Sequence, residues 1–202
     1  MMKDNLLVAV SLVVIVFSIG GLISSYGLVV EIVSPNVLTG HATSTGTINV
    51  TITENVLANL TSSNVNWGTG AITGENSNAT IDTLGNISRG NWSALSSGLV
   101  IKNEGNVALV LDFQSNKNAT NFIGGTSSSF KYMITNVDSG ACTPPDGFVL
   151  GTFYETNTST IQICDSFAPN ESVRMDFELT IPSNSNLGIL SSTITIGYNK
   201  VT

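Results

Sequence analysis

Two carboxylates, Asp176 and Glu178, are the best-placed residues in this sequence for acid–base chemistry. They stand two positions apart in an alternating segment, so a strand would carry both on one face, where they could act as a pair. The same spacing beside Arg174 is also typical of an outer sheet face in contact with water. We favour this solvated interpretation, in which neither carboxylate is catalytic.

Histidine-dependent chemistry would rest on one residue, His41, because the chain has a single histidine. A Ser-His-Asp triad or an activated cysteine would each need it. It lies in residues 34–46, which are rich in Ser, Thr, Gly and Pro and typical of a flexible linker, so we interpret it as an exposed loop imidazole. Two cysteines with one remote histidine do not make a zinc site. We therefore expect no enzymatic activity, no metal and no cofactor.

Other local motifs admit a chemical interpretation and a structural one. Residues 138–140 and 146–147 resemble fragments of calcium loops, but they lack the ligand spacing of an EF-hand, which favours turns. Trp67 and Trp92 could stack on sugars, yet packing in a core or at a sheet edge is the interpretation we favour. Three glycines lack the strand-to-helix context of a phosphate loop: Gly68, Gly70 and Gly74.

An uncharged run, residues 6–30, dominates the N-terminal part of the chain. At about 1.5 Å per residue, a helix of this length would cross a hydrocarbon layer of about 30 Å. Lys3 precedes the run and Glu31 follows it, so residues 1–5 should stay in the cytoplasm and the remainder should lie outside. A secretory signal cleaved after the small residues at 24–27 is the alternative. We expect a cell-surface protein with the membrane as partner of residues 6–30, or a secreted protein if that segment is cleaved.

Composition narrows the classes of partner. Charged residues make up 10% of the chain, and 14 acidic against 7 basic residues give a net charge of −7. No basic face exists to neutralise phosphates, so nucleic acid is excluded as a partner.

The two cysteines, Cys142 and Cys164, are predicted to form a disulfide, since this is the default for an even pair outside the cell. Closing a loop of about 23 residues would stabilise the fold by about 3 kcal/mol in the chain-entropy model. Two free buried thiols are the alternative.

N-glycosylation triplets are frequent after the apolar run, and in all of them the middle residue is not proline. Modification is expected at several of them if the host glycosylates secreted chains, whereas a bacterial host would leave most of them bare. The candidate acceptors are Asn49, Asn59, Asn78, Asn86, Asn91, Asn118, Asn157 and Asn170.

Alternation with a period of two indicates strands beyond residue 46. The clearest signal is residues 173–181, where apolar residues alternate with polar or charged ones until Pro182 ends the strand. The turn at residues 103–106 separates two further alternating runs and predicts a hairpin or a corner. Other predicted strands are 99–101, 107–113, 130–134 and 190–198, with weaker ones at 47–53, 79–83, 147–154 and 160–164.

About eight or nine such strands separated by Asn, Gly and Ser turns predict an all-β fold. We expect a single antiparallel β-sandwich, Ig-like or jelly-roll-like, over residues 47–202, with residues 31–46 as a stalk after one N-terminal hydrophobic helix. Helical spacing occurs only at residues 54–62 and 118–125, where Thr120 could cap the second segment.

Residues 97–113, SGLVIKNEGNVALVLDF, look like the strand–corner–strand of many secreted Ig-like sandwiches of bacteria and archaea. Residues 173–198, with Pro182 and Gly188, are similar to the closing half of such domains. An apolar helix followed directly by one sandwich resembles the layout of the camelysin/TasA-like surface proteins and related archaeal thread subunits. This resemblance implies a surface protein without carried-over catalytic residues. Its filament-forming members assemble by donating an N-terminal strand to a neighbour's sheet.

The sequence therefore supports two hypotheses about function. The leading one is a non-catalytic structural protein of an archaeal cell surface, either an envelope component or an extracellular filament subunit. Residues 47–53, TINVTIT, would close their own sandwich or complete a neighbour's, which makes a second copy a candidate partner. The alternative is a surface-anchored adhesion module that binds carbohydrate or protein.

Overall fold

The computed structural model describes residues 50–93 and 96–202. Several predictions lie outside these residues: the membrane segment 6–30, the stalk 31–46, His41 and Asn49. Within the described ranges, no helix is long and apolar enough to cross a membrane.

The described chain is mostly β and forms two antiparallel sheets. Its elements, in chain order, are β1 Ala58–Ser62, β2 Asn78–Asp82, β3 Ile87–Ser88, β4 Leu99–Asn103, β5 Leu109–Ser115, α1 Ala119–Phe122, β6 Ser129–Asn136, β7 Cys142–Thr143, β8 Tyr154–Glu155, β9 Ile161–Phe167, β10 Ser172–Pro182 and β11 Ile194–Lys200. Seven strands form one sheet, with the path β1-β4-β10-β2-β3; off this path, β6 pairs with β10, and β8 pairs with β6. The other sheet has the order β11-β5-β9-β7.

The two sheets share one hydrophobic core, which makes the arrangement sandwich-like. The rings of Phe113 on β5 and Tyr132 on β6 meet across it with centroids 4.5 Å apart. The alternation of residues 173–181 is confirmed on the core side, where four apolar side chains of β10 are buried: Val173, Met175, Phe177 and Leu179. Burial of these side chains is the main stabilising contribution of the strand.

β10 is the central strand of the seven-stranded sheet. On one side it pairs with β6 along residues 173–180. On the other side it pairs first with β4, along residues 172–175, and then with β2, along residues 178–182. Between these two partners lies a gap, formed by Thr83, Asp176 and Phe177, which we name the fork.

The turn at residues 103–106 is a corner, because β4 and β5 belong to different sheets. Asn103 builds it with a fully buried side chain. Its amide nitrogen donates to the carbonyl oxygens of Val107 at 2.9 Å and Phe167 at 3.0 Å. Its amide oxygen accepts from the backbone nitrogen of Gly105 at 3.0 Å. One side chain at the end of β4 thus satisfies backbone groups of the corner and of β9 in the other sheet, where the chain crosses between the sheets.

Two local predictions near the start of the described chain are wrong. Residues 50–57 are neither strand nor helix, and Ala58–Ser62 is a strand rather than part of a helix over 54–62. The reason is tertiary pairing: the corner donates from Gly105 N to Leu57 O and from Asn106 N to Asn55 O, and β1 then pairs with β4. These contacts override the weak helical spacing.

The prediction of a helix within residues 118–125 is confirmed as the short α1. Its cap is Asn118 rather than Thr120, since the Asn118 side chain accepts from Asn121 N at 3.0 Å. Gly124 and Gly125 end the turn with φ of 74° and 76°, a region that favours glycine.

The predicted strands at residues 147–154 and 190–198 are shorter than expected. Residues 147–153 form turns, in which Gly147 and Gly151 have positive φ, and only Tyr154–Glu155 pairs as β8. Leu190 is exposed, and the last strand begins at Ile194.

Candidate functional site

Asp176 occupies the fork, and its side chain is 0% exposed, so the prediction that it faces water is wrong. The cause is the separation of β4 from β2 beside β10, which leaves a space that Thr83 fills from the end of β2. The Thr83 hydroxyl donates to Asp176 Oδ1 at 2.8 Å and accepts from Phe177 N at 2.9 Å. The Thr83 backbone nitrogen donates to Phe177 O at 2.9 Å. At this point neither β4 nor β2 supplies backbone hydrogen bonds to β10. Thr83 supplies them instead, through its hydroxyl and its backbone nitrogen.

The second oxygen of the buried carboxylate is also paired. Arg174 Nε donates to Asp176 Oδ2 at 2.7 Å, while the Arg174 side chain is 40% exposed. Gly98 lies directly before β4, and its backbone leaves no room for a Cβ beside the carboxylate. Burying a carboxylate without partners would be very unfavourable, and here both oxygens accept hydrogen bonds from side chains.

Asp176 and Glu178 do not form the pair of carboxylates that their spacing allows. Glu178 makes its own ion pair, with Lys131 Nζ at 2.9 Å from Glu178 Oε1. Each carboxylate thus has a separate cation, and Asp176 has no exposed surface on which to meet a substrate. The arrangement is suited to holding the sheet together at the fork, not to transferring a proton.

The two tryptophans pack internally. Both are half-buried against the hydrophobic core, as the packing interpretation predicted. Trp67 Nε1 donates to the carbonyl oxygen of Asp82 at 3.3 Å. The indole of Trp92 lies against the backbones of Gly70 and Gly90, where a Cβ on either glycine would collide with the ring. Packing against Trp92 therefore explains why residue 70 is a glycine, and no phosphate-binding role is needed.

The two aspartates of the calcium-like fragments lie in turns. Asp138 Oδ2 accepts from Ser172 N at 2.8 Å, and Asp138 O accepts from Ala141 N at 3.1 Å. Asp146 is exposed in a turn that a bond from Phe148 N to Pro145 O closes. Among the residues placed by the structure, no three His, Cys, Asp or Glu side chains cluster as metal ligands would.

The disulfide between Cys142 and Cys164 is confirmed, with Cα atoms 5.6 Å apart. It joins β7 to β9, two strands that also pair through Cys142 with Phe167 and Thr143 with Ser166. Both cysteines are buried, so the bond lies inside the four-stranded sheet and fastens the loop that starts at Thr143.

The seven described glycosylation triplets differ in how they present the asparagine side chain. Asn59 is exposed on β1, and Asn157 and Asn170 are exposed in turns. The Asn86 side-chain nitrogen instead donates to Asp82 Oδ2 at 2.8 Å. Asn78 is half-buried, and its amide oxygen is enclosed. The remaining two use the side-chain oxygen as a backbone acceptor: Asn91 and Asn118.

Comparison with known proteins adds no assignment. No protein-family model, no curated protein and no solved structure matches the chain. Evidence on function therefore comes from the surface of this domain.

Two exposed apolar segments stand out on that surface. Val50 and Ile52 are 80% and 79% exposed just before the domain begins. In the loop between β10 and β11, Leu187 and Ile189 are fully exposed. We name residues 183–193 the tip loop. Sequence reasoning missed it because Ser and Asn dominate the segment and Leu190 continued the alternation of the next strand.

The four-stranded sheet also has a long open edge. β11 pairs with β5 along all seven of its residues, and in the described chain no strand pairs with its other side. An unpaired edge offers backbone donors and acceptors to another strand.

Proposed function

We propose that this chain is a non-catalytic structural protein of the cell surface, with an Ig-like sandwich that serves as an envelope component or filament subunit. The observation that carries the proposal is the exposure of Val50 and Ile52, which alternate with threonines in a segment of high β-propensity. An apolar segment of high β-propensity that its own domain leaves unpaired is the expected form of a segment that pairs with another copy.

The open edge of β11 supports the same proposal. A strand of seven residues with one free side is an association hazard unless it is blocked or used. Only Lys200, at its end, is charged, so no row of charges blocks the edge. A second copy that donates residues 47–53 to a sheet would create a head-to-tail contact, which propagates when the rotation does not close.

The proposed location follows from residues 6–30. We propose that they anchor the chain in the membrane, with residues 1–5 in the cytoplasm and the C-terminus outside, and that the chain is secreted if the segment is cleaved. Intact-mass analysis of protein from its native host separates these outcomes. A mature N-terminus near Leu28 would exclude the anchor.

The alternative of a carbohydrate-binding module draws no support from the tryptophans. The ring of Trp92 lies against two glycine backbones, and Trp67 bonds to the backbone at Asp82, so both indoles are occupied by internal contacts. A stacking platform needs an aromatic face open to the ligand.

A deletion in the full chain tests the assembly role. Removing residues 47–52 keeps the contact of Asn106 Nδ2 with Thr53 O, so the domain should keep its melting temperature. Wild-type protein in detergent should form filaments or large oligomers, and the deletion variant should remain monomeric. Val50→Ser with Ile52→Ser should reproduce this loss, whereas Thr51→Ser with Thr53→Ser, on the other face, should not. Unfolding of the deletion variant would mean that the segment stabilises its own domain, and the assembly role would fail.

A further inference from the structure

The tip loop holds its two aliphatic side chains away from the domain. Leu187 is 96% exposed and Ile189 is 101% exposed, on either side of Gly188 with φ 103°. Isolated apolar residues are common on surfaces, but neighbouring side chains with no contact to their own core form a patch.

Polar contacts fix both ends of the tip loop. At its start, Asn184 Oδ1 accepts from Thr126 N at 3.0 Å, and Asn184 Nδ2 donates to Thr126 Oγ1 at 3.1 Å. At its end, Asn116 Oδ1 accepts from Thr193 N at 2.8 Å. The exposed residues between these anchors are therefore presented by a braced loop, and such preorganisation lowers the entropic cost of binding.

The tip loop lies at the opposite end of the four-stranded sheet from the place where the N-terminal segment joins the domain. Ile194, directly after the loop, pairs with Ser115, and Lys200 at the other end of β11 pairs with Leu109. Lys200 also forms an ion pair with Glu54, which places Glu54 at that far end. The length of β11 separates the two ends by about 20 Å.

The two exposed apolar segments are also both uncharged. Neither the tip loop nor residues 47–53 contains a charged residue, in a chain whose net charge is −7. Contact through these segments would bury apolar surface without bringing acidic groups together. No glycosylation triplet follows Asn170, so the tip loop and β11 carry no acceptor for a sugar that would cover them.

We propose that the tip loop is the docking surface for residues 47–53 of a second copy, with Leu187 and Ile189 packing against Val50 and Ile52. This inference rests on the proposed assembly function and adds the tip loop, which leads directly into the open edge of β11 at Ile194, as the apolar end of the receiving surface. The contact joins the tip loop of one copy to a different segment of the next copy, so it is heterologous and continues along a row of molecules.

Cysteine pairing in the full-length protein tests this contact. Ile52→Cys and Ile189→Cys are prepared separately, mixed in detergent and exposed to mild oxidation. The native cysteines are buried and bonded to each other, so they should not interfere. We expect a covalent dimer from the mixture and none from either variant alone. A dimer from Ile189→Cys alone would indicate a tip-to-tip contact and would overturn the proposal.

A serine series gives an independent readout. Leu187→Ser with Ile189→Ser should abolish assembly while leaving the melting temperature unchanged. Val149→Ser, at an exposed apolar residue of another loop, should leave assembly intact. If assembly survives the tip variant and no mixed dimer forms, the tip loop is not the docking surface, although the assembly function stands. If wild-type protein never assembles, both proposals fail.

Discussion

The hydroxyl of Thr83 donates to the carboxylate of Asp176 at 2.8 Å, although 93 residues separate them in the chain. Through this bond and the one from Phe177 N, Thr83 supports the central strand at the point where its neighbour changes from β4 to β2. A buried carboxylate on the outer face of a sheet thus has a structural explanation.

Removing the Thr83 hydroxyl should destabilise the domain. Thr83→Val keeps the shape of the side chain but leaves Phe177 N and Asp176 Oδ1 each without a partner, at a cost of about 1–3 kcal/mol. Thr83→Ser keeps the hydroxyl and should cost less than Thr83→Val. Urea unfolding measures both variants. Equal losses would mean that the methyl group, not the hydroxyl, stabilises the fork.

The sequence predicted the strands well where alternation and burial coincide. The strands at residues 130–134 and 173–181 were predicted correctly, because their alternating apolar side chains pack into one shared core. Prediction failed at residues 50–57, where the corner at Asn103 supplies backbone partners from a distant part of the chain. Such partners cannot be inferred from local spacing.

The site residues were harder to predict than the fold. Alternation correctly places Asp176 on the face opposite the core, but it cannot show that two strands diverge beside it. The exposure of the tip loop likewise depends on anchors contributed by Asn116 and Thr126, far from it in sequence. By contrast, the disulfide could be predicted from the number of cysteines and from the expected location of the domain outside the cell.

Phe177→Ala should destabilise the domain by about 3–5 kcal/mol, because it removes a large buried side chain from the core. Leu187→Ala is the matched control: it also removes aliphatic volume, but its side chain is fully exposed, so its effect should stay within about 0.5 kcal/mol. Chemical denaturation compares the two. Similar losses would contradict the assigned core.

Reducing the Cys142–Cys164 bond should lower the free energy of unfolding by about 3 kcal/mol, as expected for a closed loop of this size. The sequence separation is 22 residues. A variant with both cysteines replaced by alanine should be insensitive to reductant, which controls for other effects of the reagent. A wild-type protein whose melting temperature does not change on reduction would show that the bond contributes little.

Tyr132 should make the domain sensitive to alkali. Burial, and then the nearby Tyr154, raise the pKa of Tyr132 from 10.0 to about 12. The unfolded chain therefore loses this proton first, so its contribution to stability is complete below pH 10 and falls as the pH rises towards 12. The slope for one proton is at most about 1.4 kcal/mol per pH unit. Tyr132→Phe should show a shallower decline above pH 10.

Glycan occupancy in a glycosylating host should follow the exposure of the asparagine nitrogen. Asn59 projects from the solvent face of an edge strand, and Asn157 is exposed just after β8, so both should be modified. Asn86 donates its side-chain nitrogen to Asp82, and Asn78 is half-buried with an enclosed amide oxygen, so both should stay largely bare. An oligosaccharide needs an accessible acceptor nitrogen and room around it.

Glycopeptide mass spectrometry of protein from the native host measures each site separately. Asn59→Gln should remove one glycan from the intact mass, while Asn86→Gln should leave the mass unchanged apart from the substitution. Equal occupancy of Asn78 and Asn59 would mean that modification precedes folding, since only the unfolded chain presents the two sites alike. In that case glycan occupancy would reflect the accessibility of each site before folding and not its exposure in the folded domain.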